Sequence, residues 1–152
     1  MTEQHDAGRL FHVPAGRRSS GTAQTPGMFR EAAISGPLVG AERLWMGVTT
    51  VAPRATSGPH HHGHSETGIY VVSGTPHFVY CEGDDEVHIE TVAGDFVYVP
   101  AFAHHVESNA HSDEEAVVVI ARTTQEAIVE NLEDLCHTPD HQDGGADPHG
   151  SA

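Results

Sequence analysis

The punctuation of this chain constrains its fold more than any other feature. Short runs of apolar, β-branched and aromatic residues recur between Gly, Pro, Asn and Asp, and no stretch sustains an apolar stripe of helical period. RLWMGVTTVA (43–52) is closed by Pro53. GIYVVSG (68–74) ends in Ser-Gly and is followed almost at once by TPHFVYCEG (75–83), which predicts a hairpin. EVHIETV (86–92) alternates Val87 and Ile89 against Glu86, His88 and Glu90; DFVYVP (95–100), HHVESN (104–109) and AVVVIAR (116–122) complete the set. Strands this short and this regularly spaced predict an all-β sandwich or barrel. QEAIVENLEDL (125–135) reads either as a final strand through Ala127 to Val129 or as a short helix. Trp45, Tyr70, Phe78, Tyr80, Phe96 and Tyr98 are expected mainly in the core, with a subset shaping a pocket.

The 152 residues suffice for one domain. Residues 1–22 are polar and rich in Gly, Ser and Arg, as in a flexible arm. The barrel domain is expected over 23–136, and 137–152, with scattered histidines, reads as a disordered tail. A formal charge of −15, with only seven basic residues, argues against nucleic acid or an anionic membrane as partner. Cys81 and Cys136 are far apart and form no CxxC pair, so two free thiols in a reducing compartment are expected. No apolar segment resembles a secretion signal or membrane span, and the expected location is cytoplasmic.

GPHHHGHSETGIYVVSG (58–74) packs His60, His61, His62, His64 and Glu66 directly before an apolar strand. On extended backbone alternate side chains share a face, so His60 and His62 point one way and His61 the other. Two imidazoles do not hold a metal tightly, and a third ligand has to come from elsewhere. The stretch GDFVYVPAFAHHVESN (94–109) carries His104 and His105 just after a corner.

Together these stretches resemble the motifs of the cupins, small jelly-roll barrels, also described as double-stranded β-helices, with a metal in the barrel mouth. The second stretch matches the family pattern through Gly94, Pro100, His105 and Asn109, with Phe102 where the pattern has glycine. The resemblance implies His105, rather than His104, as ligand beside His60 and His62. The first motif fits less cleanly. Glu66 follows His62 at a permitted spacing, yet counting back from Gly74 lands on Thr67. One of the two faces inward, and a bulge near Gly63 or Gly68 would be needed to turn Glu66 in. The reading adopted is a His60, His62, His105 and Glu66 site. A three-histidine site completed by water, or one with His64 in place of Glu66, is the rival.

Such a donor set suits Zn(II), Fe(II), Ni(II) or Mn(II), one ion per chain, and leaves coordination positions open, as catalytic sites do. His64 and His104 are the nearest candidates for acid or base work. The resemblance implies a metal-dependent enzyme acting on a small molecule. Its alternatives are an Fe(II)-dependent dioxygenase, a small-ligand-binding cupin, or a helper subunit of a biosynthetic enzyme. The stretch HHHGHSETGIYVVSG is also similar to the zinc-binding cupin domains of hydrazine-forming synthetases, which implies zinc and small-molecule biosynthesis. Cupins commonly dimerise through N-terminal strands, and FREAAIS (29–35) is placed to do so, so a homodimer is expected.

Overall fold

Alternation decides which side of each strand is buried. In β2 (Trp45–Val51) every second residue, Trp45, Gly47, Thr49 and Val51, is buried, and those between are half-exposed. The computed structural model describes residues 8–136; the expected tail at 137–152 and the start of the expected arm, residues 1–7, lie outside them.

The strands are β1 (Met28–Ile34), β2, β3 (His60–His61), β4 (Thr67–Ser73), β5 (His77–Glu82), β6 (Asp85–Glu90), β7 (Phe96–Val99), β8 (His105–Ser108), β9 (Ala116–Arg122) and β10 (Glu130–Asn131). They form two antiparallel five-stranded sheets, ordered β1-β2-β9-β4-β7 and β10-β3-β8-β5-β6. Apart from the pairs β1–β2 and β5–β6, which stay within one sheet, successive strands pass from one sheet to the other, so the fold is the expected jelly-roll barrel. Its core lies between the sheets, where Trp45, Ile69, Val71, Phe78, Val99, Val118 and Ile120 pack together. Burying an aliphatic or aromatic side chain of this kind contributes about 1.5–3 kcal/mol.

The expected hairpin between 68–74 and 75–83 does not form. β4 pairs with β7 and β9, whereas β5 pairs with β6 and β8 in the other sheet. Gly74 makes the crossing. Its φ of +80° is in the left-handed region, and a Cβ there would meet Ala116 Cα at 2.8 Å, so backbone passes against backbone at this corner.

Several aromatic residues also stand elsewhere than expected. Trp45 and Phe78 are in the core, but Phe96 is 78% exposed, Tyr98 63% and Tyr70 38%. Their neighbours Val97, Val99, Ile69 and Val71 face inward instead. Period two fixes which residues share a face, and the partner strands decide which face is covered.

In the stretch 125–135 there is no helix, and the strand begins at Glu130, pairing with β3 as Glu130↔His61 and Asn131↔His60. Ser19, near the end of the expected arm, exchanges two backbone hydrogen bonds with Ala32 and covers part of the outer edge of β1.

The expectation of two free thiols is corrected. Cys81 on β5 and Cys136 are joined in a disulfide with Cα atoms 5.4 Å apart. The chain leaving β10 returns across the second sheet and brings together cysteines 55 residues apart, a proximity sequence spacing does not reveal. No described helix is long and apolar enough to cross a membrane.

Candidate metal centre

β3 and β8 are neighbours in the second sheet, with His60 and His105 directly opposite one another. Both rings are buried, and His62 follows one alternation after His60. The three rings form a triangle with centroids 4.9 Å (His60–His62), 4.4 Å (His60–His105) and 4.9 Å (His62–His105) apart. Each Nδ1 faces a backbone carbonyl: His60 that of Gly58 at 2.8 Å, His62 that of Ile128 at 2.9 Å, His105 that of Ala103 at 2.9 Å. A proton on each Nδ1 is donated to that carbonyl, leaving the Nε2 lone pairs free. Fixing one ring nitrogen to a carbonyl is how metal-ligating histidines are held in tautomer and orientation.

The carboxylate beside these rings is not that of Glu66. It is Glu107, whose carboxylate joins the ligand atoms of His60, His62 and His105 in one group, all within 4.8 Å of one another. Glu66 is exposed and its carboxylate accepts a hydrogen bond from the Tyr98 hydroxyl. Thr67 is the residue that turns inward, and it is buried. The register shift in β4 lies at Val71–Ser73, downstream of Glu66, so it cannot reverse the side on which Glu66 sits. Glu107 was legible by parity alone: it is one alternation beyond His105 on β8, and therefore shares its face.

Electrostatics ties the four groups together. Burial lowers the His60 and His62 imidazoles below their ordinary value, only partly offset by their carbonyl partners and by Glu107, so both are neutral near pH 7. Burial also pulls His105 down, but Glu107 outweighs it and raises the imidazole overall. For Glu107, burial works upward, yet His105 and the other two histidines bring its carboxyl down to about 2. His105 Nε2 lies 3.5 Å from Glu107 Oε1, is buried, and makes no hydrogen bond among the described residues. A buried ring nitrogen without a partner, facing a carboxylate and two further ring nitrogens, fits a divalent cation. His60, His62, His105 and Glu107 can hold such an ion.

The other sequence candidates stand outside this group. His64 is exposed, because Gly63 adopts a left-handed φ of +56° and ends the alternation that would have aligned it with His62. His104 stacks on His61 with centroids 5.5 Å apart and planes 13° from parallel. His104 and His105 also line a cavity of about 680 Å³ whose other walls include Phe78, Tyr80, Ile89 and Val99. One wall of this largely apolar cavity is thus a member of the cluster. A second cavity of about 80 Å³, lined by Arg30, His62 and Glu107, lies against the cluster as well.

Phe102, at the position where the second motif has glycine, has a φ of +60°. The backbone there keeps the left-handed conformation that glycine adopts freely, although a bulky side chain is attached.

Comparison with known proteins agrees with this architecture. A structure of Bacillus subtilis oxalate decarboxylase at pH 4.6 aligns with a TM-score of 0.61 and 23% identity, over 72% of this chain and 28% of that one. The same enzyme, in a structure concerned with its Mn(II) centres, aligns at 0.62 and 22%, over 75% and 30%. The formate complex of Lactobacillus farciminis oxalate decarboxylase aligns at 0.61 and 19%, over 72% and 32%. The chain therefore spans less than a third of the length of these enzymes, and the likeness is one of fold. No curated protein sequence matches. The family model described as a cupin domain matches residues 47–121. That match opens inside β2, closes inside β9 and takes in both strands that carry the histidines, and on it the chain belongs to the cupin superfamily.

Proposed function

We propose that this protein binds one divalent first-row metal ion through His60, His62, His105 and Glu107 and uses it to act on a small molecule held in the adjoining cavity. The observation that carries this reading is the set of three Nδ1 atoms committed to carbonyls, with a carboxylate within reach of all three remaining ring nitrogens. When bound, the ion supplies Lewis acidity and open coordination positions. The chain's own residues do the rest. Phe78, Tyr80 and Ile89 keep the cavity beside His105 apolar, and His104 at its wall is placed to exchange a proton with a bound molecule. Arg30, in the smaller cavity with His62 and Glu107, offers a cationic contact on the other side.

Three imidazoles and one carboxylate suit zinc, as the likeness to hydrazine-forming synthetases implies, and equally manganese, the ion named for the oxalate decarboxylase of the same fold. Elemental analysis of untagged protein should find about one first-row metal per chain, and oxygen uptake with candidate substrates separates an iron oxygenase from a zinc or manganese enzyme. Protein that takes up no metal with all three histidines intact rules the reading out.

A homodimer belongs to the same proposal. The outer face of the first sheet exposes Tyr70, Val72, Phe96 and Tyr98, with Tyr70 and Phe96 in ring contact at 4.8 Å. This face, more than the partly covered edge of β1, is the surface a second copy would bury.

A further inference from the structure

We propose that His77, His88 and His111 form a second metal site, on the outer face of the second sheet, for a borderline first-row divalent ion such as Zn²⁺ or Cu²⁺. β5 and β6 pair with His77 opposite Glu90 and Val79 opposite His88. His77 and His88 are therefore diagonal neighbours on one face, within reach of each other. The barrel cluster lies on the opposite face, where Tyr80 stands across from His105.

The geometry at this pair is that of a chelate. His88 Nε2 is 3.2 Å from Glu86 Oε2, so its proton is donated to that carboxylate and its Nδ1 carries the lone pair. A carboxylate holding the far nitrogen of a ligating histidine is a recurrent arrangement in metal sites. His88 Nδ1 lies 3.0 Å from His77 Nε2. Two nitrogens each about 2.1 Å from one ion are separated by about 3 Å at the right angle of a tetragonal Cu²⁺ site and by about 3.4 Å in a tetrahedral Zn²⁺ site, which the pair reaches by opening a few tenths of an ångström. His111 brings a third ring to 5.7 Å from that of His77, centroid to centroid, and its side chain has to turn towards the pair for a nitrogen to join them. Glu86, on His88, and Glu90, opposite His77, place negative charge beside the pair. Without metal, His77 Nε2–H donates to His88 Nδ1. Binding moves that proton to His77 Nδ1, and both facing nitrogens then donate to the ion.

The test uses the full-length chain, stripped with EDTA and titrated with ZnCl₂, with bound zinc counted after equilibrium dialysis and by calorimetry. His88→Ala and His77→Gln should each bind one zinc fewer per chain than the wild type, and His105→Ala should leave this ion in place. Retention of the full zinc complement by either variant overturns the proposal, since the zinc would then lie elsewhere. The barrel site is read separately, by the loss on His105→Ala, so failure of one reading does not imply failure of the other.

Discussion

Glu107 stands one alternation beyond His105 on β8 and brings its Oε1 to 3.5 Å from His105 Nε2, inside the barrel. A buried carboxylate facing buried imidazoles exacts a desolvation cost that the pair offsets internally, and a divalent ion offsets further.

Glu107 and Glu66 stand on different sides of their strands, one in the cluster and the other against Tyr98. Glu107→Ala should weaken zinc or manganese affinity by about tenfold or more, since losses of that size follow even from residues that only support a ligand. Glu66→Ala, which removes the partner of Tyr98, should leave affinity within about twofold. Titration calorimetry on both variants checks this, and a reversed ranking would restore Glu66 to the site.

The same four groups set how the metal-free protein responds to acid. Glu107 is held at about 2 against an ordinary 4.5, so its contribution to stability is complete above pH 4.5 and is lost as pH falls towards 2. His60 and His62 lie below their ordinary 6.5, so the unfolded chain takes up protons first, and stability falls as pH drops beneath 6.5. His105 lies above 6.5, and its contribution is complete below that pH and lost as pH rises through its folded value. Thermal melts of metal-free protein should show Tm declining from pH 6.5 into the acid range. The part of the decline below pH 4.5 should flatten in Glu107→Gln, and an unchanged acid limb in that variant contradicts the assignment.

Phe102 allows a comparison of two truncations that differ only in a Cβ. At a φ of +60° an L-residue is strained by roughly 1–2 kcal/mol, a cost glycine avoids. Phe102→Gly should therefore be more stable than Phe102→Ala by about 1 kcal/mol in denaturant unfolding, although glycine is ordinarily the less stable choice. Alanine equal to or better than glycine would show that the backbone relaxes on truncation.

The Cys81–Cys136 disulfide fastens the end of the segment whose Ile128 carbonyl holds His62. With its cysteines 55 positions apart in sequence, chain-entropy arguments give it about 4 kcal/mol of stabilisation. Reduction, or Cys136→Ser, should lower Tm by several degrees or more and also weaken metal binding. An effect on Tm with none on affinity would mean that β10 keeps Ile128 in place unaided.

Sedimentation velocity tests the exposed sheet face. Wild type should sediment as a dimer, and Phe96→Glu, a change at a solvent-facing position of β7, as a stable monomer with unaltered metal content. A monomeric wild type dismisses the pairing.

Much of this protein was legible in its sequence. Period-two runs broken by Gly and Pro specify short strands because side chains alternate sides every residue, and that placed β2, β6 and β9 close to where they lie. The same alternation put His60 and His62 on one face and, through the second motif, selected His105 over His104. Parity also contained Glu107, but a first motif with a glutamate near the expected spacing drew attention to Glu66. Only the tertiary structure could decide between them, because whether a strand face is inward depends on which strands cover it. The same holds for Phe96 and Tyr98, apolar yet outside, for Gly74 crossing between sheets where a hairpin was expected, and for Cys81 meeting Cys136. Alternation along a strand is a local property of the backbone; covering, crossing and long-range contact are properties of how the strands pack.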